Sequence, residues 1–88
     1  MTKIDTTLTV RFFARFREQL NTESLQLSVS PGQTVADIMV VLATRGGPWQ
    51  ELRSDQSVMV AVNQAMAKPS TPVKTGDEVA FFPPVTGG

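Results

Sequence analysis

The sequence predicts an α+β domain with the order ββαβ(β)β: two strands, one main helix, then the remaining strands. Three observations carry this prediction. Apolar and polar residues alternate with the period of a strand in 7–13, 25–29, 58–62 and 78–82. A single stretch, 35–42, has apolar residues at i, i+3, i+4 and i+7, the period of an amphipathic helix. The chain has 88 residues, room for one domain, and surface scaling gives such a chain a buried fraction of about 64%, a thin but real core. One helix can cover only one face of a sheet, so the other face is expected to stay open.

The elements follow in order. In Thr-Leu-Thr-Val-Arg-Phe-Phe, residues 7–13, Leu8, Val10 and Phe12 share one face and Thr9, Arg11 and Phe13 the other. Residues 14–20 form one or two helical turns, with Phe16 and Leu20 at i, i+4. Asn21-Thr22 breaks the run, and Leu25, Leu27 and Val29 mark a second strand that returns to pair with the first. Ser30-Pro31-Gly32 is a turn. Thr34 then caps the main helix, with Asp37 three residues on in a capping-box position. Val35, Ile38, Met39 and Leu42 form its buried stripe, and Gly46-Gly47-Pro48 ends it. Trp49 to Gln56 is irregular or a short helical turn. Val58, Val60 and Val62 alternate with Met59 and Ala61 in a third strand. Asn63-Gln64 turns the chain into a short return strand over Ala65 to Ala67. Pro69 and Pro72 deny ladder donors and mark an edge or loop. Thr75-Gly76-Asp77 is a turn before the last strand, 78–82, in which Val79 and Phe81 face opposite to Ala80 and Phe82.

Composition narrows the chemistry. Eight Lys and Arg balance eight Asp and Glu, so the net charge is zero. That argues against a dedicated binder of nucleic acid or of membrane surfaces, which needs a net cationic face. The sequence contains neither cysteine nor histidine. This excludes disulfides, thiolate nucleophiles, iron–sulfur clusters, zinc sites built on Cys or His, and His-based triads. Asp37, Asp55, Asp77 and Glu78 are scattered over predicted caps and turns and form neither a paired acid/base site nor a metal cage. No segment reaches the 18 or so apolar residues of a membrane span, and the N-terminus lacks the apolar region of a signal peptide. A cytoplasmic protein is expected.

The last six residues, Pro-Pro-Val-Thr-Gly-Gly, cannot build a core. Pro83 and Pro84 stop the sheet. Gly87 and Gly88 carry no side chain and lose the most entropy on ordering. A frayed terminus is the ordinary reading of such an end. A functional tail is the alternative: a terminal carboxylate on two bare residues can enter a narrow active site. The chain therefore divides into a domain over 1–82 and an extended, flexible tail over 83–88, expected to order only against a partner.

The stretch Gly76-Asp77-Glu78-Val79-Ala80-Phe81-Phe82-Pro83-Pro84-Val85-Thr86-Gly87-Gly88 resembles the C-terminus of the molybdopterin synthase small subunit, the MoaD-type sulfur carrier family. Val10-Arg11-Phe12-Phe13-Ala14 with Arg17-Glu18, and Val60-Ala61-Val62-Asn63-Gln64, extend the resemblance over nearly the whole chain, and 43–57 is its weakest part. The resemblance implies a β-grasp (ubiquitin-like) fold with a mixed sheet. It also implies that the Gly88 carboxylate attacks the α-phosphate of ATP on a ubiquitin-activating-like adenylyltransferase. The acyl-adenylate becomes a thiocarboxylate with sulfur from a donor enzyme. The charged carrier then docks on a large synthase subunit, and sulfur passes to cyclic pyranopterin monophosphate in molybdenum cofactor biosynthesis. Gly87 is the required neighbour of Gly88, and Pro84, Val85 and Thr86 lie along the partner's channel. Two small and two large subunits form the assembly. The chain itself is expected to hold no cofactor and no metal; ATP is used by the activating enzyme.

The chemistry of the residues is compatible with that role. A free carboxylate is a poor acceptor of sulfur because its leaving group is oxide; adenylation supplies a good one. The carrier needs no acid or base of its own. Phe13 and Phe82 fall on the strand faces away from the main helix. If the first and last strands are neighbours, these rings form an exposed apolar patch. The resemblance implies that it docks the large subunit, with Met66 as a third member. The alternatives are a small sheet that curls and half-buries the rings, or a strand parity shifted by one residue. The alternation of Arg11, Arg15 and Arg17 with Phe12, Phe13 and Phe16 resembles a single-strand nucleic-acid platform. Zero net charge and the missing glycines of an RNA-recognition signature favour a strand with one solvated face, with Arg15 and Arg17 free to meet a partner's acidic patch. Trp49 is expected to plug the edge of the core. The alternatives are a related ubiquitin-like carrier of the thiazole-biosynthesis type, a protein modifier joined to lysines, and a plain interaction module with an inert tail.

Overall fold

A computed structural model describes residues 6–53 and 58–84. Strand β1 is Thr7–Phe12, helix α1 Arg15–Leu20, strand β2 Ser24–Ser28 and helix α2 Val35–Ala43. A 3-10 helix, Gly47–Arg53, follows, then β3 Met59–Val62, β4 Ala65–Met66 and β5 Glu78–Phe82. The five strands form one sheet in the order β2-β1-β5-β3-β4. β1 and β5 run parallel, while β2 pairs antiparallel with β1, β3 with β5, and β4 with β3. This mixed sheet with one main helix is the expected β-grasp, ubiquitin-like arrangement.

Alternation sets the two faces. Leu8, Val10 and Phe12 of β1, Val60 of β3 and Val79 and Phe81 of β5 are buried. They belong to one cluster with Val35, Ile38, Met39 and Leu42 of α2, Phe16 and Leu20 of α1, and Leu52. The apolar stripe of α2 is thus the core stripe the sequence predicted. At its N-terminus the Asp37 carboxylate accepts from the Thr34 amide (2.9 Å) and the Thr34 hydroxyl (3.2 Å), satisfying donors that the first turn leaves open. Trp49 meets Phe12 edge to face, centroids 5.4 Å apart, and closes the edge of the core as expected.

Three local findings refine the sequence reading. The segment after α2 is an ordered 3-10 helix that begins at Gly47, inside the stretch read as a breaker. Pro48 sits in its first turn, where no amide donor is required. Residues 54–57, Asp55 included, lie outside the described residues. Asp77, read as a turn residue, is buried: its carboxylate accepts from the Lys74 amide and from Asn63 Nδ2, both at 2.9 Å. Asn63 returns a second bond, its Oδ1 accepting from the Glu78 amide at 3.0 Å. Asn63 and Gln64 both have positive φ, 51° and 70°, as a tight hairpin between β3 and β4 requires.

Candidate docking face and tail exit

The face of the sheet away from α2 carries no covering element among the described residues, and its composition is divided. On the β2 and β1 side it is polar: Gln26 Nε2 donates to the Thr9 hydroxyl at 2.8 Å. On the other side it is apolar. The register places Arg11 beside Ala80, Ala80 beside Ala61, and Ala61 beside Met66. One step along the strands, Phe82 stands opposite Met59. The Phe13 amide donates to the Phe81 carbonyl at 3.1 Å, which carries the parallel ladder one residue further and brings Phe13 alongside Phe82.

Phe13, Phe82 and Met66 therefore share this face, as the sequence predicted. Phe13 is 39% exposed, Met66 62% exposed, and Phe82 half-buried. Met59, also exposed, is a member the sequence reading missed. Its signal was present: Val58, Val60 and Val62 point inward, so Met59 must point outward. What the strand alone could not show is that its partner is Phe82.

Arg11 stands at the border between the two halves. Its Nη1 donates to Glu78 Oε2 at 3.2 Å, and its guanidinium carbon lies 5.3 Å from the centre of the Phe13 ring.

The chain leaves the sheet at the end of β5, beside Phe13. Pro83 and Pro84 are half-buried there. Val85, Thr86, Gly87 and Gly88, the predicted channel and reactive residues, lie outside the described residues. A cavity of about 340 Å³ opens at the other end of β1, lined by Thr6, Val29, Pro31, Val73, Lys74 and Thr75. Its single ionisable group, Lys74, has no acid or base opposite it in that lining. Among the described residues no three of His, Cys, Asp and Glu gather as metal ligands, and no helix is long and apolar enough to cross a membrane.

Fold and face together define a ubiquitin-like domain that offers one apolar sheet surface beside its C-terminal exit. Comparison with known proteins makes this more specific. The model of the ThiS family matches residues 10–88, and the chain belongs to that family. It is 40% identical over 81 residues to a molybdopterin synthase sulfur carrier subunit of Haemophilus influenzae, covering 92% of this chain and 99% of that one. It is 38% identical over 79 residues to the subunit of the same name from Escherichia coli, covering 90% and 96%. Among solved structures it resembles the small archaeal modifier protein 1 of Haloferax volcanii, with a TM-score of 0.75 and 26% identity over 91% of this chain and 99% of that one.

Proposed function

We propose that this chain is the sulfur carrier subunit of a molybdopterin synthase. The observation that carries the reading is the match to two proteins of that name over 92% and 90% of this chain, together with a family match that runs through the Pro-Pro-Val-Thr-Gly-Gly end to residue 88. In this reading the domain over 1–82 is the handle and the tail over 83–88 the working part. The Gly88 carboxylate attacks the α-phosphate of ATP on an adenylyltransferase, releasing pyrophosphate and leaving an acyl-adenylate. A sulfide equivalent from a donor enzyme attacks the acyl carbon and displaces AMP, leaving a thiocarboxylate, a soft nucleophile at neutral pH. Gly87 and Gly88 offer no side chain to obstruct either active site, and Pro84, Val85 and Thr86 line the approach. The large subunit docks on Phe13, Phe82, Met66 and Met59 and receives the tail beside them. Sulfur then passes to cyclic pyranopterin monophosphate, and two deliveries complete the dithiolene. The carrier alone turns nothing over; the assembled synthase, two small and two large subunits in the cytoplasm, is the enzyme.

The likeness to a small archaeal modifier favours one second reading, attachment of Gly88 to lysines of other proteins. A single experiment separates the two. The chain is incubated with an activating enzyme proven on another carrier, ATP and a sulfide source. Exchange of oxygen for sulfur adds about 16 Da, nearly the same as oxidation of a methionine, so mass alone misleads. An alkylating probe of the thiocarboxylate, mapped to the tail peptide, removes the ambiguity. The expected result is ATP-dependent labelling at Gly88 and transfer of sulfur once the large subunit and precursor are added. Labelling without transfer, with lysine conjugates in its place, moves the protein to the modifiers. An outcome with neither labelling nor lysine conjugates overturns both.

A further inference from the structure

We propose that Arg11 is the charged contact by which the open face selects its partner, receiving a carboxylate that the large subunit presents beside the apolar side chains seated on Phe13 and Phe82. This inference rests on the proposed function and adds the chemistry of the partner surface. Arg11 lies within the docking face: its guanidinium is over the Phe13 ring at 5.3 Å, and its strand neighbour on that face is Ala80. A partner that covers Phe13 must therefore also strip water from Arg11, whose side chain is 41% exposed. Glu78 accepts from Nη1 alone, at 3.2 Å, out of the five N–H donors a guanidinium carries. The remaining donors lose their water on docking, and a desolvated charge left without acceptors opposes binding strongly. A carboxylate, which can take two parallel N–H bonds, is the acceptor that matches this geometry.

Within the face, Glu78 is the acid that Arg11 meets. Glu78 then has two effects: it holds the guanidinium in place on the sheet, and it competes with the incoming carboxylate.

The test is the affinity of the full chain for the large subunit, measured by titration calorimetry and association kinetics from about 0.05 M to 0.5 M salt, a range over which screening rises steeply. Arg11→Gln is expected to weaken binding about tenfold at low salt, mainly through slower association, with the gap closing at high salt. Arg11→Lys should keep most of the salt dependence while losing the paired geometry. Glu78→Gln should bind as tightly as the unsubstituted chain or a few-fold tighter, because it removes a competing carboxylate. Arg11→Gln indistinguishable from the unsubstituted chain would overturn the proposal. So would Glu78→Gln weakening binding as much as Arg11→Gln does, since the pair would then serve only the carrier's own sheet. If Arg11→Gln fails to fold by circular dichroism, the Lys and Glu78 variants still decide. Thiocarboxylation at Gly88 with normal docking by all variants removes the Arg11 assignment and leaves the carrier reading intact. No docking by the unsubstituted chain removes both.

Discussion

β1 and β5 lie side by side, and each leads into two consecutive phenylalanines that part at the plane of the sheet. Phe12 and Phe81 turn inward, 1% and 0% exposed, and stack at a centroid distance of 6.1 Å inside the core. Phe13 and Phe82 turn outward, alongside Met59 and Met66. Residue type is the same in both places, and only parity differs. The inward rings hold the fold together. The outward rings gain little within the monomer, and they form the exposed apolar surface that the proposed function gives to the large subunit. The comparison teaches that in this chain the fold and the docking face proposed above use the same side chain on opposite faces of one sheet, so the two can be disturbed separately.

The largest expected effect lies beyond both faces. Deleting Gly87 and Gly88 should abolish thiocarboxylate formation, read with the alkylating probe, while the melting curve stays put, because the described core is closed by residue 84. Next is Phe81→Ala, which removes a fully buried ring from the stack and should cost about 3–5 kcal/mol of stability in chemical denaturation. Phe82→Ala should cost far less in the same assay; equal losses would break the division between the faces. Asp77→Ala is third. It leaves the Lys74 amide and Asn63 Nδ2 without their acceptor at a buried site, at an expected cost of about 1–3 kcal/mol. The smallest effect is Asp37→Ala at the exposed start of α2, which should lower the melting midpoint by only a few degrees.

Much of this was legible in the sequence because strand and helix periods are local. The parity of 7–13 and 78–82 assigned Phe12, Phe13, Phe81 and Phe82 to their faces before any pairing was known. The stripe of Val35, Ile38, Met39 and Leu42 likewise identified the core side of α2. The neighbourhood of β1 and β5 is a different matter: strands 66 residues or more apart in sequence meet through topology, and that expectation came from the family resemblance. Met59 escaped for the same reason, since its membership of the patch depends on its register with Phe82. The Arg11–Glu78 pair and the burial of Asp77 under Asn63 are also long-range, made by a hairpin turn and a distant strand that no local pattern links. A short helical turn over Trp49 to Gln56 was one of two readings of that stretch, and its start at Gly47 was hidden by Gly-Gly-Pro, which reads as a stop but also suits the first turn of a new helix.

The division between the faces meets its most direct test in one variant, Phe82→Asp, assayed twice on the same sample. A thermal melt reports on the core, and a calorimetric titration with the large subunit reports on the open face. The expected result is a melting midpoint within a few degrees of the unsubstituted chain and affinity reduced about a hundredfold or more, as when a charge replaces a ring at the centre of an interface. Retained affinity in a folded variant, or loss of the fold itself, would contradict the assignment of this face to docking.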